Sequence, residues 1–287
     1  MKKIIAAAVA AAFVAPASYA ADVTIGGELE YVYTSSDSTT DSVSDSDNLI
    51  RVQASEELGN GFSVVGTFQV INDTGATDLE NDGTNIALSG PHGTLVVGDT
   101  SGAMDATGDY TDVSPSGGGF DGDGADHVFL WTLPTIVENL TLAVSHSPAG
   151  TNNVGADDSV VNDADAYSAT YAFPNGAVYY ASEEAAGVEK TALGIKYSMA
   201  GFTVAYENQE TESTSQDITG VAVTYKYGNV DLGVEKQETK TPSSVSEDET
   251  LLFAQYNLGA VDLYVVSIDD ETSTDNDQTR VGIEYNF

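Results

Sequence analysis

The final segment of the chain, residues 278–287, alternates without interruption between two kinds of side chain. Val281, Ile283, Tyr285 and Phe287 fall on one side, and polar or small residues lie between them. A period of two residues predicts a β-strand with one apolar face. Soluble proteins also contain such strands. A secretory signal at the start of a chain, combined with a final strand of this kind that ends on an aromatic residue, is typical of an outer-membrane β-barrel.

Residues 1–20 have the composition of a cleaved secretory signal peptide. Two lysines precede an apolar run at 4–14, and a small-residue cleavage site ends at Ala20. The run is shorter than the roughly 18 apolar residues of a spanning helix, although an uncleaved anchor remains the alternative. Because no linker divides the remainder, we expect one barrel domain at 21–287, exported to the outer membrane of a Gram-negative cell.

Composition limits the classes of function. The 45 Asp and Glu residues exceed the 9 Lys and Arg residues and give a formal net charge of −36. Such a charge argues against a nucleic-acid partner. The absence of cysteine excludes thiol catalysis and cysteine-ligated metal. Acidic chains can be disordered, but an apolar fraction of 41% and regular alternation predict a folded domain.

Turn residues divide the chain into sixteen predicted strands, an even number as expected of bacterial barrels. The predicted strands are 22–33, 48–58, 61–71, 83–90, 93–99, 126–133, 139–147, 165–173, 176–183, 190–198, 201–208, 217–227, 229–237, 250–258, 260–268 and 278–287. Tight Gly, Asn and Pro turns alternate with long acidic connections. The long connections are 34–47, 71–83, 100–125, 147–165, 183–190, 207–217, 237–249 and 269–278.

This arrangement predicts an all-β, transmembrane, antiparallel barrel that closes by pairing its first and last strands. Closure is required because backbone N–H and C=O groups find no partners in lipid. Tyrosines near strand ends would form the interfacial girdle, and Lys196 and Lys226 fall on the inward positions of their strands. A soluble β-sandwich is the alternative that short alternating strands leave open.

Four segments carry a family resemblance. They are residues 55–62 (SEELGNGF), 84–90 (TNIALSG), 93–98 (GTLVVG) and 108–115 (GDYTDVSP). With them the chain resembles the sixteen-stranded, trimeric general diffusion porins of Gram-negative outer membranes. The resemblance implies that the third loop, residues 100–125, folds into the barrel and narrows the pore. It also implies a homotrimer surrounded by outer-membrane lipid and lipopolysaccharide.

The resemblance further implies acidic loop residues facing a basic wall, and here the sequence departs from the family. Asp112 matches one acidic position, whereas a second falls on Ser116. The three family arginines of the second, fourth and fifth strands fall on Leu49, Asn85 and Asp99. Arg51 alone could replace part of the basic charge.

We therefore predict a pore constriction formed by Asp99, Asp105, Asp109, Asp112, Arg51 and Asn85. An acidic constriction favours cations, so the sequence predicts a cation-selective, water-filled channel for ions and small hydrophilic solutes. A substrate-specific outer-membrane channel and a non-conducting structural or adhesin barrel are the alternatives.

Other chemistry has less support in the sequence. Asp121, Asp123 and Asp126 resemble a Ca²⁺ loop but lack the later bidentate glutamate, so a solvated acidic loop is the better interpretation. His92, His127 and His146 show no spacing typical of a metal site or a catalytic triad. We expect no cofactor and no enzymatic activity.

Overall fold

The structure is a computed structural model that describes residues 21–72, 80–81, 83–107, 110–115, 126–148, 163–242, 247–271 and 277–287. Within these ranges the chain is all-β apart from one turn of 3₁₀ helix at Asp105–Thr107. No helix in the described part of the chain is long and apolar enough to cross a membrane.

Seventeen strand segments follow one another in the described ranges. They are β1 (Asp22–Ser36), β2 (Ser42–Gly59), β3 (Phe62–Asn72), β4 (Glu80–Asn81), β5 (Asn85–Gly90), β6 (Gly93–Ser101), β7 (Asp126–Thr132), β8 (Leu140–Ser147), β9 (Ala164–Phe173), β10 (Gly176–Ala185), β11 (Val188–Met199), β12 (Phe202–Thr211), β13 (Gln216–Tyr227), β14 (Val230–Lys240), β15 (Glu247–Asn257), β16 (Val261–Asp270) and β17 (Gln278–Asn286).

Each strand pairs antiparallel with its neighbours, and β1 pairs with both β2 and β17. The sheet is therefore closed. The short β4 and the longer β5 pair with different parts of the same neighbour, β3, and therefore count as one strand of the barrel. The barrel thus has sixteen strands, as predicted. At the closing seam Gly27 N donates to Phe287 O at 3.0 Å, and Phe287 N donates to Gly27 O at 3.1 Å.

Side chains alternate between an exposed apolar outer face and an inner face. In β16, Leu263 and Val265 are exposed, whereas Tyr264 and Val266 are buried. The apolar residues of the last strand are likewise exposed on the outside, as the sequence predicted. Exposed tyrosines near strand ends have the position expected of an interfacial girdle. They include Tyr31, Tyr33, Tyr171, Tyr197, Tyr227, Tyr256 and Tyr285.

Several connections are shorter than predicted because the strands continue into polar sequence. The predicted loop 34–47 is reduced to residues 37–41, since β1 extends to Ser36 and β2 begins at Ser42. Similarly, β10 and β11 are joined by Ala186 and Gly187, both with positive φ. These extensions are rich in serine, threonine and acidic residues, so they lack the apolar alternation by which the strands were predicted. Their backbone N–H and C=O groups still gain hydrogen-bond partners by pairing in the sheet. The tight turns at the opposite end are confirmed, with positive φ at Asn60, Asn175 and Ala200.

Aromatic side chains cover glycines on the inner face. Tyr179 lies opposite Gly194 in the register of β10 and β11, and a Cβ added to Gly194 would lie 2.1 Å from the tyrosine ring. Tyr264 covers Gly282 in the same way. Each glycine thus leaves room for a ring to lie flat along the wall. This matters at Tyr179, because the covered glycine sets the position of a ring whose hydroxyl donates to Glu207 of β12 at 2.6 Å.

Replacing Val265 by lysine tests which face meets lipid. Val265 is on the exposed face of β16, so Val265→Lys should lower the free energy of unfolding in lipid vesicles by about 2–4 kcal/mol. Gln255→Lys introduces the same charge at an inner position of β15 and should change stability by less than about 1 kcal/mol. Urea titrations in phospholipid vesicles measure both values. Equal effects would mean that the two faces are wrongly assigned.

Candidate functional site

The chain between β6 and β7 contacts the inside of the barrel far from the two strands that it connects. Residues 110–113 reach β10, β12 and β14 through hydrogen bonds and ring contacts. These strands lie across the interior from β6, so the described part of the loop crosses the lumen. The inward fold that the sequence predicted for the third loop is therefore observed in its residues 102–107 and 110–115.

Glu207 of β12 is the main attachment point. Its Oε2 accepts from Thr111 N at 2.8 Å and from Thr111 Oγ1 at 2.7 Å, and its Oε1 accepts from the hydroxyl of Tyr179 at 2.6 Å. The Glu207 side chain is fully buried. A carboxylate offers acceptors only, so three donors suit its chemistry.

A second attachment involves Val113. Its backbone N donates to Glu235 Oε2 at 3.2 Å, and Glu235 is also fully buried. The Val113 side chain packs against two apolar clusters on the inner wall. One of these clusters consists of Val32, Leu251, Phe253, Tyr264, Val266 and Ile268. The loop is therefore held by apolar burial as well as by charge-assisted hydrogen bonds.

Tyr110 is held between an aromatic ring and a cation. Its ring meets Tyr179 edge-on at a centroid distance of 5.1 Å, and Lys196 Nζ lies 3.9 Å from its centroid. The lysine therefore points into the barrel, as its strand position predicted, in a cation–π contact. Burial and then the charge of Glu207 raise the pKa of Tyr110, so its hydroxyl stays neutral.

Small side chains on the wall make room for the loop. The inner cluster around Met104 and Tyr110 contains Ala143, Ala166, Ala177, Ala181, Ala192, Ala205 and Ala222. The beginning of the loop is attached to the same wall, because Ala103 N donates to Ser145 Oγ at 2.7 Å. This side of the lumen is therefore filled by loop atoms packed on alanines.

The strands β2, β3 and β5 form a polar part of the inner wall, away from the alanines on which the loop packs. Arg51 Nε donates to Gln69 Oε1 at 2.6 Å, and Arg51 is itself exposed. Gln53 Nε2 donates to Thr67 Oγ1 at 3.3 Å. Asn85 Nδ2 donates to the carbonyls of Gly83 and Asp99, both at 3.0 Å. Arg51 and Asn85 thus lie on neighbouring parts of the wall.

The predicted acidic residues have different environments. Asp112 is exposed on the loop. Asp99 is buried, and its Oδ2 accepts from Gly83 N at 2.6 Å. Asp105 Oδ2 accepts from Gly102 N at 3.3 Å. Two of the predicted constriction residues therefore stabilise backbone turns, and Asp112 is the one whose carboxylate is most accessible.

The remaining predicted acidic positions lie outside the described structure. Asp109, Asp121 and Asp123 fall outside the described residues, as does the side chain of Asp126 at the start of β7. The proposed roles of Asp109 in the constriction and of the other three in Ca²⁺ binding remain predictions.

Sequence reasoning missed the role of Glu207. It placed Glu207 where the predicted strand 201–208 overlaps the predicted connection 207–217 and gave it no role, whereas β12 continues to Thr211. The available signal was the alternation itself, since Glu207 follows Thr203 and Ala205 at two-residue intervals on the inner face. Glu30 and Glu235 also lie on the inner face and are buried, and Glu30 accepts a hydrogen bond from Tyr264.

Comparisons with known proteins agree with this architecture. A family model described as "Gram-negative porin" matches residues 6–287. The comparison with curated protein sequences gives no match. Among solved structures, OmpF of Salmonella typhi in complex with daunomycin aligns with a TM-score of 0.76 at 14% identity, covering 92% of this chain and 97% of that one.

Two other solved structures have the same fold. The anion-selective porin from Comamonas acidovorans aligns with a TM-score of 0.71 at 11% identity, covering 93% of this chain and 100% of its own. OmpT of Vibrio cholerae, described in a trimer form, aligns with a TM-score of 0.70 at 13% identity over the same shares.

Removing the Glu207 carboxylate should loosen the loop. Glu207→Ala leaves the donors of Thr111 and Tyr179 without their acceptor, at a cost of about 1–3 kcal/mol per buried group. We expect a larger mean single-channel conductance with more current fluctuation. Thr203→Ala, on the same face of β12 but bonded to Ser198, is the matched control and should leave the conductance unchanged. Identical traces for both variants would show that Glu207 does not hold the loop.

Proposed function

Because the chain belongs to the Gram-negative porin family and is an outer-membrane porin, we propose that it forms a cation-selective, water-filled channel for passive diffusion of ions and small hydrophilic solutes. The observation that carries the proposal is the inward loop, which is anchored across a closed sixteen-stranded barrel. A barrel of this width would otherwise leave a wide aqueous opening. The loop narrows that opening, so its charges act on every solute that passes.

Charge supports the preference for cations. In the described part of the chain, buried carboxylates at lumenal positions include Glu30, Glu183, Glu207, Glu235 and Asp262. The basic side chains at lumenal positions include Arg51, Lys196 and Arg280, and Lys196 is engaged with Tyr110. With a net charge of −36, the protein creates a negative potential that low-dielectric walls concentrate in the lumen. The accessible Asp112 would add its charge at the narrowest region.

The fold alone does not decide selectivity, because an anion-selective porin shares it. The proposal therefore rests on side-chain charge. The alternatives have less support. A non-conducting adhesin would need a filled lumen, and a substrate-specific channel would need accessible lumenal aromatics. The lumenal rings of Tyr179, Phe253 and Tyr264 are all buried.

We also propose a homotrimer surrounded by lipid and lipopolysaccharide. The related OmpT of Vibrio cholerae is described in a trimer form, which supports this assembly. The signal peptide at 1–20 lies outside the described residues, and its cleavage is part of the proposal. The mature protein should then begin at Ala21. The proposal assigns the protein no catalytic step.

The reversal potential in a planar bilayer under a KCl gradient tests the selectivity. The wild type should give a potential of the cation-selective sign. Asp112→Asn should lower the cation-to-anion permeability ratio about two- to fourfold, since a unit charge near a permeating ion in water is worth up to about 1 kcal/mol. Arg51→Gln should raise the ratio.

Asp37→Asn, at an exposed turn between β1 and β2, is the matched charge control and should leave the ratio unchanged. The double variant Asp99→Asn/Asp112→Asn shows whether the buried Asp99 adds to the effect. A wild-type potential near zero would contradict the proposed selectivity. Equal ratios for Asp112→Asn and Asp37→Asn would remove Asp112 from the constriction.

Salt should stabilise the proposed trimer. Three strongly acidic chains repel one another, and the screening length falls from about 30 Å to about 4 Å between 0.01 and 0.5 M salt. We expect the midpoint of thermal trimer dissociation to rise over this range. Unheated electrophoresis after each temperature step measures it, and sorbitol at matched osmolality is the control. A midpoint independent of ionic strength would contradict charge repulsion as the limiting factor.

A further inference from the structure

Three side chains with metal-binding groups converge on the outer face of the barrel where β8 ends and β9 begins. They are His146, Asp163 and Asp165, and one potential ligand atom from each lies within 4.8 Å of the other two. His146 Nδ1 is 2.9 Å from Asp165 Oδ1. All three side chains are exposed. The cluster lies at the end of the barrel opposite the tight turns, which is the extracellular side in porins.

The β-ladder holds two of these groups in place. His146 and Asp165 lie directly opposite each other in the register of β8 and β9. On β8, the neighbouring Ser145 and Ser147 point inward and bind backbone groups, so His146 must point outward. The position of His146 is therefore fixed from both sides of the strand.

Asp163 adds the third group from the same face. It lies two positions before Asp165, the spacing that returns a side chain to the same side of an extended chain. Its backbone carbonyl accepts from Ala186 N at 3.3 Å, so the main chain there is attached to the end of β10. One imidazole and two carboxylates consequently face a common point.

We propose that His146, Asp163 and Asp165 bind a divalent transition-metal ion of the Zn²⁺ class. Zinc accepts imidazole nitrogen and carboxylate oxygen at about 2.0–2.2 Å, which places tetrahedral ligands about 3.4 Å apart. The separation of 2.9 Å between His146 and Asp165 needs to open only slightly. The ligand atom of Asp163 lies within 4.8 Å of the other two, so it needs to approach by at most about 1.4 Å, which its exposed side chain allows.

The mixed donor set distinguishes this site from the acidic surface around it. Hard cations such as Ca²⁺ and Mg²⁺ prefer oxygen ligands, whereas imidazole favours zinc, copper and nickel. Glu184 is exposed and lies opposite Asp165 in the register with β10, so its charge draws cations to the same place. Water would complete the coordination on the open side. The site is separate from the lumen, because its side chains point away from it.

A bound ion would join the ends of β8 and β9 at the base of the connection formed by residues 148–162. It would replace a hydrogen bond between two exposed side chains by metal–ligand bonds to three. The expected consequence is a more stable hairpin at the extracellular rim, without a change in conductance.

Isothermal titration of the folded full-length barrel in detergent tests the proposal. Zn²⁺ is added in the presence of 5 mM CaCl₂, which occupies carboxylate sites that lack nitrogen. We expect one Zn²⁺ per chain, with an affinity weakened at least tenfold by His146→Gln and by Asp165→Asn, because a ligand contributes at least as much as the outer groups that orient it. Cobalt(II) should give a visible absorption band that is lost in His146→Gln.

His92→Gln, at a tight turn on the opposite end of the barrel, is the matched control and should bind like the wild type. Heat-dependent electrophoretic mobility confirms that each variant is folded. Wild-type affinity in His146→Gln, or no binding by the wild type in calcium, would overturn the proposal. Loss of binding in His92→Gln as well as in His146→Gln would do the same, since it would indicate nonspecific binding by histidines.

Discussion

The need to satisfy every backbone N–H and C=O group without water governs this structure. In a membrane the sheet must have no edge, so the first strand has to meet the last. The contact between Gly27 and Phe287 is where this happens, through two reciprocal hydrogen bonds. Phe287 therefore supplies both the last backbone partners and an apolar side chain on the outer face. Antiparallel pairing around the ring then fixes which residues face lipid and which face the lumen.

A closed barrel of sixteen strands has an interior that is too wide for the side chains of its wall to fill. The inward loop fills part of it. Its backbone groups leave water when they reach the wall, and buried carboxylates of Glu207 and Glu235 accept from them. The carboxylates lose hydration in the same step, so each partner depends on the other. Alanines beneath Tyr110 and glycines beneath Tyr179 and Tyr264 provide the space. The pore's shape thus depends on acidic groups that no permeating ion needs to touch.

Local alternation made the barrel predictable, because the sequence of each strand shows by itself which residues form its apolar face. Outward Val281 and inward Lys196 followed directly from it. Strand ends were less predictable. Above the apolar band both faces are polar, so the extensions of β1 and β12 resemble loops in sequence although their backbones are paired. The role of Glu207, at the end of one predicted strand, was missed because its partner Thr111 is 96 positions away in the chain.

Individual side-chain contacts between distant segments were not predicted, apart from the closure of the barrel and the inward course of the loop. Asp99 was expected to face the lumen, but its role depends on the backbone of Gly83, which no pattern in β6 indicates. His146 and Asp165 are nineteen positions apart, and the connection between them gives no spacing of the kind known for metal sites. Only the register of β8 and β9 makes them neighbours.

The same alternation gives carboxylates three different physical settings. Inward ones beneath the loop, such as Glu207, are desolvated and hold protein donors. Those on the loop, such as Asp112, are exposed, and the proposed selectivity depends on the field that they create in the lumen. Outward ones at the rim, such as Asp165, face away from the pore, and Asp165 lies opposite His146, with which it is proposed to bind a metal ion. Net charge alone does not separate these roles, because its long-range part is screened by salt, whereas the buried contacts are screened much less. Acidic residues therefore attach the loop and, in the two proposals, attract permeating cations and bind a metal ion, and strand register decides which of these settings each residue has.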